Sequence, residues 1–153
     1  MVKRITKTTR GKTVRERKRI IVVGTEGNNK TAMLYLRDLE KTQDRYHFIF
    51  APGNETDPVK IVQNTIKKVK SEELSLKNGD MAISIFDLDL DRAKAIQLDQ
   101  AKAISSAKGI FLVTSNPCFE VWYLEHFGYT SRQFSSSTDL IRSLKKYLPE
   151  YNK

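Results

Sequence analysis

Four short apolar runs alternate along this chain with longer segments whose apolar residues recur at helical spacing. The runs cover residues 19–23, 46–50, 81–86 and 109–114, and their length is typical of strands rather than helices. Strands that are joined by helical crossovers pair in parallel, with right-handed connections. The alternation therefore predicts an α/β fold, a three-layer sandwich around a mainly parallel four-stranded sheet.

The segments between the runs carry helix start and stop signals. Asp57 is a cap followed by a first-turn proline, and Gly109 is placed to end the third helix. We expect Thr31 to cap the first helix and Asn116-Pro117 to open the fourth. The side chains expected to face the core from the first and third helices are Ala32, Leu36, Leu39, Ile96, Ala101 and Ile104.

Length and composition restrict the protein class. The chain has 153 residues, enough for one domain, which we place at 19–153 after a basic arm at 1–18. One cysteine, Cys118, and two separated histidines argue against a disulfide framework and a Cys/His zinc cluster. No apolar run reaches membrane-spanning length and no signal peptide is evident, so we expect a cytoplasmic protein with no membrane partner.

The N-terminal arm concentrates the positive charge of the chain. Residues 1–19 hold nine basic side chains against Glu16 alone, a net charge of +8 out of +9 in total. Such an arm is suited to a polyanion, and we predict nucleic-acid contacts by Arg15, Arg17 and Lys18. The alternative is a solubilising tail without a binding role.

The run Met81 to Phe86 leads directly into the sequence Asp87-Leu-Asp-Leu-Asp91. In an extended backbone, alternate residues point to one face, so Asp87, Asp89 and Asp91 would project together. Carboxylates gathered at a strand end favour a hard cation such as Mg²⁺. The alternative is a solvated acidic turn in which Asp91 caps the next helix.

Two further acids could join this group. Glu26 follows the first strand, before Gly27, and would meet the aspartates if the first and third strands are neighbours. The three carboxylates could then hold one or two Mg²⁺ ions, which would activate water. Glu120 follows the fourth strand and is either a ligand or base, or a side chain placed favourably on the helix dipole. We add Lys30 and Asn116 as candidate nucleic-acid contacts.

Other interpretations of these motifs fit less well. An EF-hand loop counted from Asp87 would need glycine at Arg92 and glutamate at Leu98. The strand with D-x-D is similar to haloacid-dehalogenase-type phosphatases, but a complete strand-helix-strand-helix unit precedes it and no later acidic pair follows. No phosphate-binding Walker loop or G-x-G-x-x-G is present. We expect Cys118 to be a packing residue, and Trp122, Tyr123 and Phe127 to belong to the core rather than to a base-stacking platform.

The glutamate-glycine pair, the aspartate pair and the phrase S-N-P-C-F-E-V-W, at residues 115–122, together resemble the RloB-like proteins. That family belongs to bacterial phage-defence and restriction-associated operons and includes abortive-infection proteins of the AbiLii type. The resemblance implies a Toprim-like core whose acids, here Glu26, Asp87 and Asp89, bind Mg²⁺ or Mn²⁺ and cut phosphodiester bonds. It also implies a separate ATPase partner, encoded nearby.

The chain departs from the family pattern after its first glutamate. The usual E-G-x-x-T-E is one residue longer here and ends in Ala32 where a second glutamate is expected. The clustered acids and the resemblance still make a metal-dependent nuclease, with nucleic acid as its partner, our leading interpretation. A module that binds nucleic acid or an ATPase without catalysis is the alternative. The expected nucleic-acid substrate is DNA or RNA.

Overall fold

The order of the strands places the first and third strands side by side. The computed structural model describes residues 17–27 and 30–152. In these residues one sheet contains the strands β1 (Arg19–Thr25), β2 (Tyr46–Phe50), β3 (Met81–Asp87) and β4 (Phe111–Ser115). All pairings are parallel, in the order β2-β1-β3-β4. The predicted α/β fold is confirmed.

Helices connect and follow the strands. They are α1 (Lys30–Lys41), α2 (Pro58–Ser71), α3 (Arg92–Lys108), α4 (Glu120–Glu125) and α5 (Ser137–Leu144), with a short 3₁₀ turn at Leu76–Asn78. The Asp57 carboxylate accepts hydrogen bonds from two backbone amides at the start of α2. Gly109 ends α3 in the left-handed conformation, at φ 69°. Both predicted signals are confirmed. None of the described helices is long and apolar enough to cross a membrane.

The core consists of two apolar clusters on opposite faces of the sheet. Ile21 and Val23 of β1 lie in one cluster with Ala32 and Leu36 of α1. Val22, between them, lies in the other cluster. There it is joined by Val62 from α2 and Ala101 from α3. Because neighbouring side chains of a strand point to opposite faces, helices cover both sides and the sandwich has three layers.

Some local predictions were wrong. Thr31 is the second residue of α1 rather than its cap. Asn116-Pro117, joined by a cis peptide bond, precedes α4 without opening it, since the helix begins at Glu120. Ile96 is 78% exposed, because Ala101 and Ser105 define the buried face of α3 and a residue five positions before Ala101 points the other way. Leu39 is also more exposed than expected, at 42%.

Candidate metal centre at the carboxyl edge of the sheet

Glu26 and Asp87 meet at the carboxyl edge, which is the edge where the parallel strands end. Thr25, the last residue of β1, pairs with Ile85 of β3. Glu26 follows β1 directly, and Asp87 is the final residue of β3. Both side chains are buried. The prediction that the third strand lies beside the first is therefore confirmed.

The Lys94 side chain is the centre of this acidic group. Its Nζ atom lies 2.6 Å from Oε1 of Glu26 and 2.6 Å from Oδ2 of Asp89. It also donates to the main-chain carbonyl of Asp87 at 3.0 Å. The Lys94 and Glu26 side chains are only 12% and 9% exposed. One ammonium group thus contacts three oxygen atoms from two strand ends.

Sequence reasoning missed Lys94, although a signal was present. Lys94 is the third residue of α3, close to the positive end of the helix dipole. A basic residue is disfavoured there unless nearby anions compensate for the repulsion. Because Lys94 follows closely after Asp87, Asp89 and Asp91, the sequence indicated that aspartates could offset this repulsion.

The backbone brings Asp89 to the site by a turn. Asp89 and Leu90 have φ values of 51° and 57°, in the left-handed region that such residues seldom occupy. The Asp89 amide donates to the carbonyl of Pro117 at 3.0 Å. The expected strand-like alternation of the three aspartates is therefore wrong, because regular pairing ends at Asp87 with Ser115.

Asp91 is the N-cap of α3. Its Oδ1 atom accepts a hydrogen bond from the Ala93 amide at 2.8 Å. The alternative interpretation of this residue, a helix cap at the end of an acidic turn, is thus confirmed. A role for Asp91 in metal binding stays a prediction.

Burial and charge act against each other in the acidic group. Burial raises the pKa of Glu26, although the hydrogen bond and the positive charge of Lys94 oppose this effect. Burial lowers the pKa of Lys94, but its bonds to Asp89 and Glu26 outweigh burial, so that this pKa is raised overall. The lysine is therefore held in its charged form between the acids.

Glu120 occupies a second polar position, in the helical layer. It is fully buried at the first residue of α4. Its Oε1 atom accepts from the Tyr151 hydroxyl at 2.8 Å and from the Thr31 hydroxyl at 3.3 Å. Burial raises the pKa of Tyr151, and the hydrogen bond to Glu120 raises it further. Glu120 therefore ties α1 and the segment after α5 to α4, while its predicted catalytic role stays a prediction.

Gly27 lies where the chain has no space for a side chain. A Cβ atom there would lie 2.1 Å from Cα of Asn54, in the loop after β2. The Gly27 amide donates to the carbonyl of Glu55 at 3.2 Å. Close approach to this loop, rather than a left-handed turn, explains the glycine next to Glu26.

The predicted nucleic-acid contacts are spread over the molecule. Arg15 lies outside the described residues. Arg17 and Lys18 precede β1, whereas Glu26 follows it, so they are at opposite ends of that strand. Arg17 lies 3.6 Å from Asp80, and Lys18 lies 3.2 Å from Asp44. The exposed Lys30 begins α1, and the exposed Asn116 follows β4, so both are on the carboxyl side of the sheet.

Two predictions about packing had different outcomes. Cys118 is completely buried, which confirms its packing role. Trp122 and Phe127 are 43% and 44% exposed, so their assignment to the core was wrong. Trp122 remains anchored, because its indole N–H donates to the Ser115 hydroxyl at 3.0 Å. The buried aromatic residue of this segment is Phe119, which packs in the cluster under α1.

Comparison with known proteins identifies the family. No curated protein and no solved structure matches the chain at a significant level. The model of the RloB-like protein family matches residues 21–153, which include every helix that the structure describes, nearly all of the sheet and the acidic group around Lys94. The chain therefore belongs to the RloB-like family.

Proposed function

We propose that this protein is a Mg²⁺- or Mn²⁺-dependent nuclease of a bacterial phage-defence system, acting in the cytoplasm with a separate ATPase. Membership of the RloB-like family suggests a restriction-associated protein. The observation that carries the proposal is the convergence of Glu26, Asp89 and the Asp87 carbonyl on one cationic atom, Lys94 Nζ. Oxygen atoms arranged around a positive charge at a strand end are suited to a metal ion.

The donor set fits a hard divalent cation. Among residues 17–27 and 30–152, no three His, Cys, Asp or Glu side chains are close enough to hold a metal together. The site instead offers two carboxylates and one carbonyl, all oxygen donors. Mg²⁺ is commonly held by one or two carboxylates while it keeps several of its waters. Occupancy requires that the ammonium of Lys94 move aside, which its flexible stem permits.

The chain contributes positioning and charge to this chemistry. A bound divalent cation would supply an activated water and stabilise charge on a phosphoryl oxygen. Glu26 and Asp89 would hold that cation, and the left-handed turn at Asp89 fixes where the second carboxylate lies. Lys94, once displaced, stays on the first turn of α3 and attracts the anionic phosphate backbone. Because Glu26 is buried, its attraction to a bound cation would be screened less by water.

A binding module without catalysis is the second candidate. One observation favours it: Lys94 already neutralises the acidic pair without any metal. In addition, Ala32 is fully buried and packs in the core, so α1 supplies no carboxylate at the position where the family pattern has a second glutamate.

Cleavage assays separate the two candidates. Purified protein is incubated with single-stranded and duplex DNA and RNA, in Mg²⁺, Mn²⁺ or EDTA. We expect cleavage by the parent with metal, and none by Glu26→Gln or Asp89→Asn, because the amide keeps the size of the side chain but lacks the charge that a dication needs. The matched control is Asp99→Asn, an exposed carboxylate of α3 that lies 3.6 Å from Lys102. Equal cleavage by all variants would overturn the acidic edge as the catalytic site, and no cleavage by the parent with either metal would favour the binding module.

A further inference from the structure

Exposed aromatic side chains gather around the connection from α4 to α5. Tyr129 is 87% exposed, Tyr147 is 55% exposed and Phe127 is 44% exposed. The rings of Phe127 and Tyr147 are stacked, with centroids 4.9 Å apart and planes 12° from parallel. A cluster of exposed aromatic rings often marks a surface that contacts a ligand or a partner. We call Phe127, Tyr129 and Tyr147 the aromatic platform.

Two adjoining cavities connect the aromatic platform to the acidic edge. The first has a volume of about 410 Å³ and includes Leu90, within the acidic turn, and Asn116 in its lining. The second has a volume of about 270 Å³ and includes Tyr129 and Tyr147. Thr130, Arg132 and Phe134 line both cavities. A chain-like ligand that lies on the platform could therefore extend along this groove toward Asp89.

The charged side chains that line the two cavities are basic: Arg132 lines both, and Lys146 lines the second. Residues 127–148 contain four basic side chains and one acidic side chain. Arg132 lies at the centre, with its guanidinium 5.2 Å from the Phe134 ring centroid and 2.8 Å from the Asp139 carboxylate. Lys145 and Lys146 are exposed beside Tyr147. Aromatic faces next to cations are complementary to unpaired bases on an anionic backbone.

We propose that this groove binds single-stranded nucleic acid and leads it to the carboxyl edge of the sheet. The proposal rests on the proposed function, since it names the substrate class of the same site. Unpaired bases expose the faces that stack on aromatic rings, whereas the bases of a duplex are stacked on each other. A duplex would therefore gain only the phosphate contacts of Lys145, Lys146 and Arg132.

The test measures binding without cleavage. Fluorescence anisotropy of the full chain is recorded in EDTA at physiological salt, with a labelled single strand of mixed sequence as DNA or RNA, and with the matching duplex. Stacking is worth about 1–3 kcal/mol per base, so Tyr129→Ala and Tyr147→Ala should each weaken single-strand binding about tenfold. Tyr129→Phe and Tyr147→Phe keep the ring and should bind like the parent. The control is Phe111→Ala, which removes an aromatic side chain that is 58% exposed at the opposite end of the sheet.

The outcomes distinguish this proposal from the nuclease function. Tyr129 is almost fully exposed, so its replacement leaves the fold intact, and circular dichroism verifies this for each variant. Equal single-strand binding by the alanine variants and the parent, or the same loss of duplex binding in those variants, would overturn the groove proposal even if the parent cleaves with Mn²⁺. Platform-dependent binding without cleavage in either metal would support the groove and overturn the nuclease. Failure of the parent to bind any nucleic acid would also overturn the groove proposal. If the parent then self-associates and Tyr129→Ala does not, the aromatic platform is a protein contact.

Discussion

The Nζ atom of Lys94 lies 2.6 Å from Oε1 of Glu26, although 68 positions separate the two residues in the sequence. The bond joins the start of α3 to the end of β1 and places a positive charge where the proposed function requires a metal ion. Lys94 therefore stabilises the acidic group without metal and competes with any cation that enters. Both consequences are measurable.

Replacement of Lys94 by methionine should separate these two effects. The variant keeps the length of the side chain but leaves the largely buried Glu26 without its cationic partner. We expect a loss of about 1–3 kcal/mol in the free energy of unfolding without metal, the usual cost of removing a charged hydrogen-bond partner. Mn²⁺ should bind more tightly to the variant than to the parent, because no ammonium has to be displaced. Urea unfolding and isothermal titration calorimetry measure the two quantities.

The matched control for this variant is Lys102→Met on the same helix, where the lysine is 59% exposed and lies 3.6 Å from Asp99. An exposed ion pair of this kind contributes little to stability. The control should therefore have the stability and the Mn²⁺ affinity of the parent. Weaker Mn²⁺ binding by Lys94→Met would show that the lysine assists the metal rather than competing with it.

The stability of the parent should depend on pH through Glu26. Burial raises its pKa above the ordinary value of 4.5, so between these two values the folded protein binds more protons than the unfolded chain. The free energy of unfolding therefore falls as the pH rises from 4.5 through the raised pKa. Glu26→Gln lacks this titration, so in that pH window its stability should rise relative to the parent. Denaturant unfolding at a series of pH values measures the difference, and parallel profiles would contradict the assignment.

Tyr151 should contribute to stability through Glu120. Tyr151→Phe removes one donor from a fully buried carboxylate, with an expected loss of about 1–3 kcal/mol in the free energy of unfolding. Tyr129→Phe, which removes a hydroxyl from an exposed ring, should leave the stability unchanged. Thermal unfolding compares the two variants.

Replacement of Glu120 by glutamine tests whether this residue acts only through packing. In that case Glu120→Gln should lower the free energy of unfolding while metal-dependent cleavage persists. A loss of cleavage at full stability would support a catalytic role.

Deletion of residues 2–16 tests the predicted contacts of the basic arm. These residues lie outside the described part of the chain and contain six of its lysines and arginines. If they bind phosphates, the slope of log K against log salt on duplex DNA should flatten by about 0.9 for each phosphate that the shortened chain no longer neutralises. Binding isotherms between low and physiological salt measure this slope. An unchanged slope would favour the alternative of a solubilising tail.

The local sequence was sufficient for the strands, for some helix ends and for the position of the acids. Strand-length apolar runs, the cap at Asp57 and the glycine at 109 are local signals, and the structure places an element boundary at each of them. The neighbourhood of Glu26 and Asp87 was also predictable, because parallel strands end at the same edge. Local signals failed at two places. The helix expected to open at Asn116-Pro117 begins at Glu120, and the strand expected to continue through Asp89 ends in a left-handed turn.

Only the tertiary structure decided which charges and hydroxyl groups meet. Lys94 reaches Glu26 because α3 begins just past the end of β3, and β3 lies beside β1 in the sheet. Tyr151 reaches Glu120 across 31 positions, because α5 packs on α4 and the ring of Tyr151 contacts Tyr123 of α4. Sequence patterns describe which face of a strand or helix is buried, whereas these contacts depend on how separate elements are packed together. The sequence alone therefore determined the layers and the acidic edge, and the packing determined the lysine at its centre.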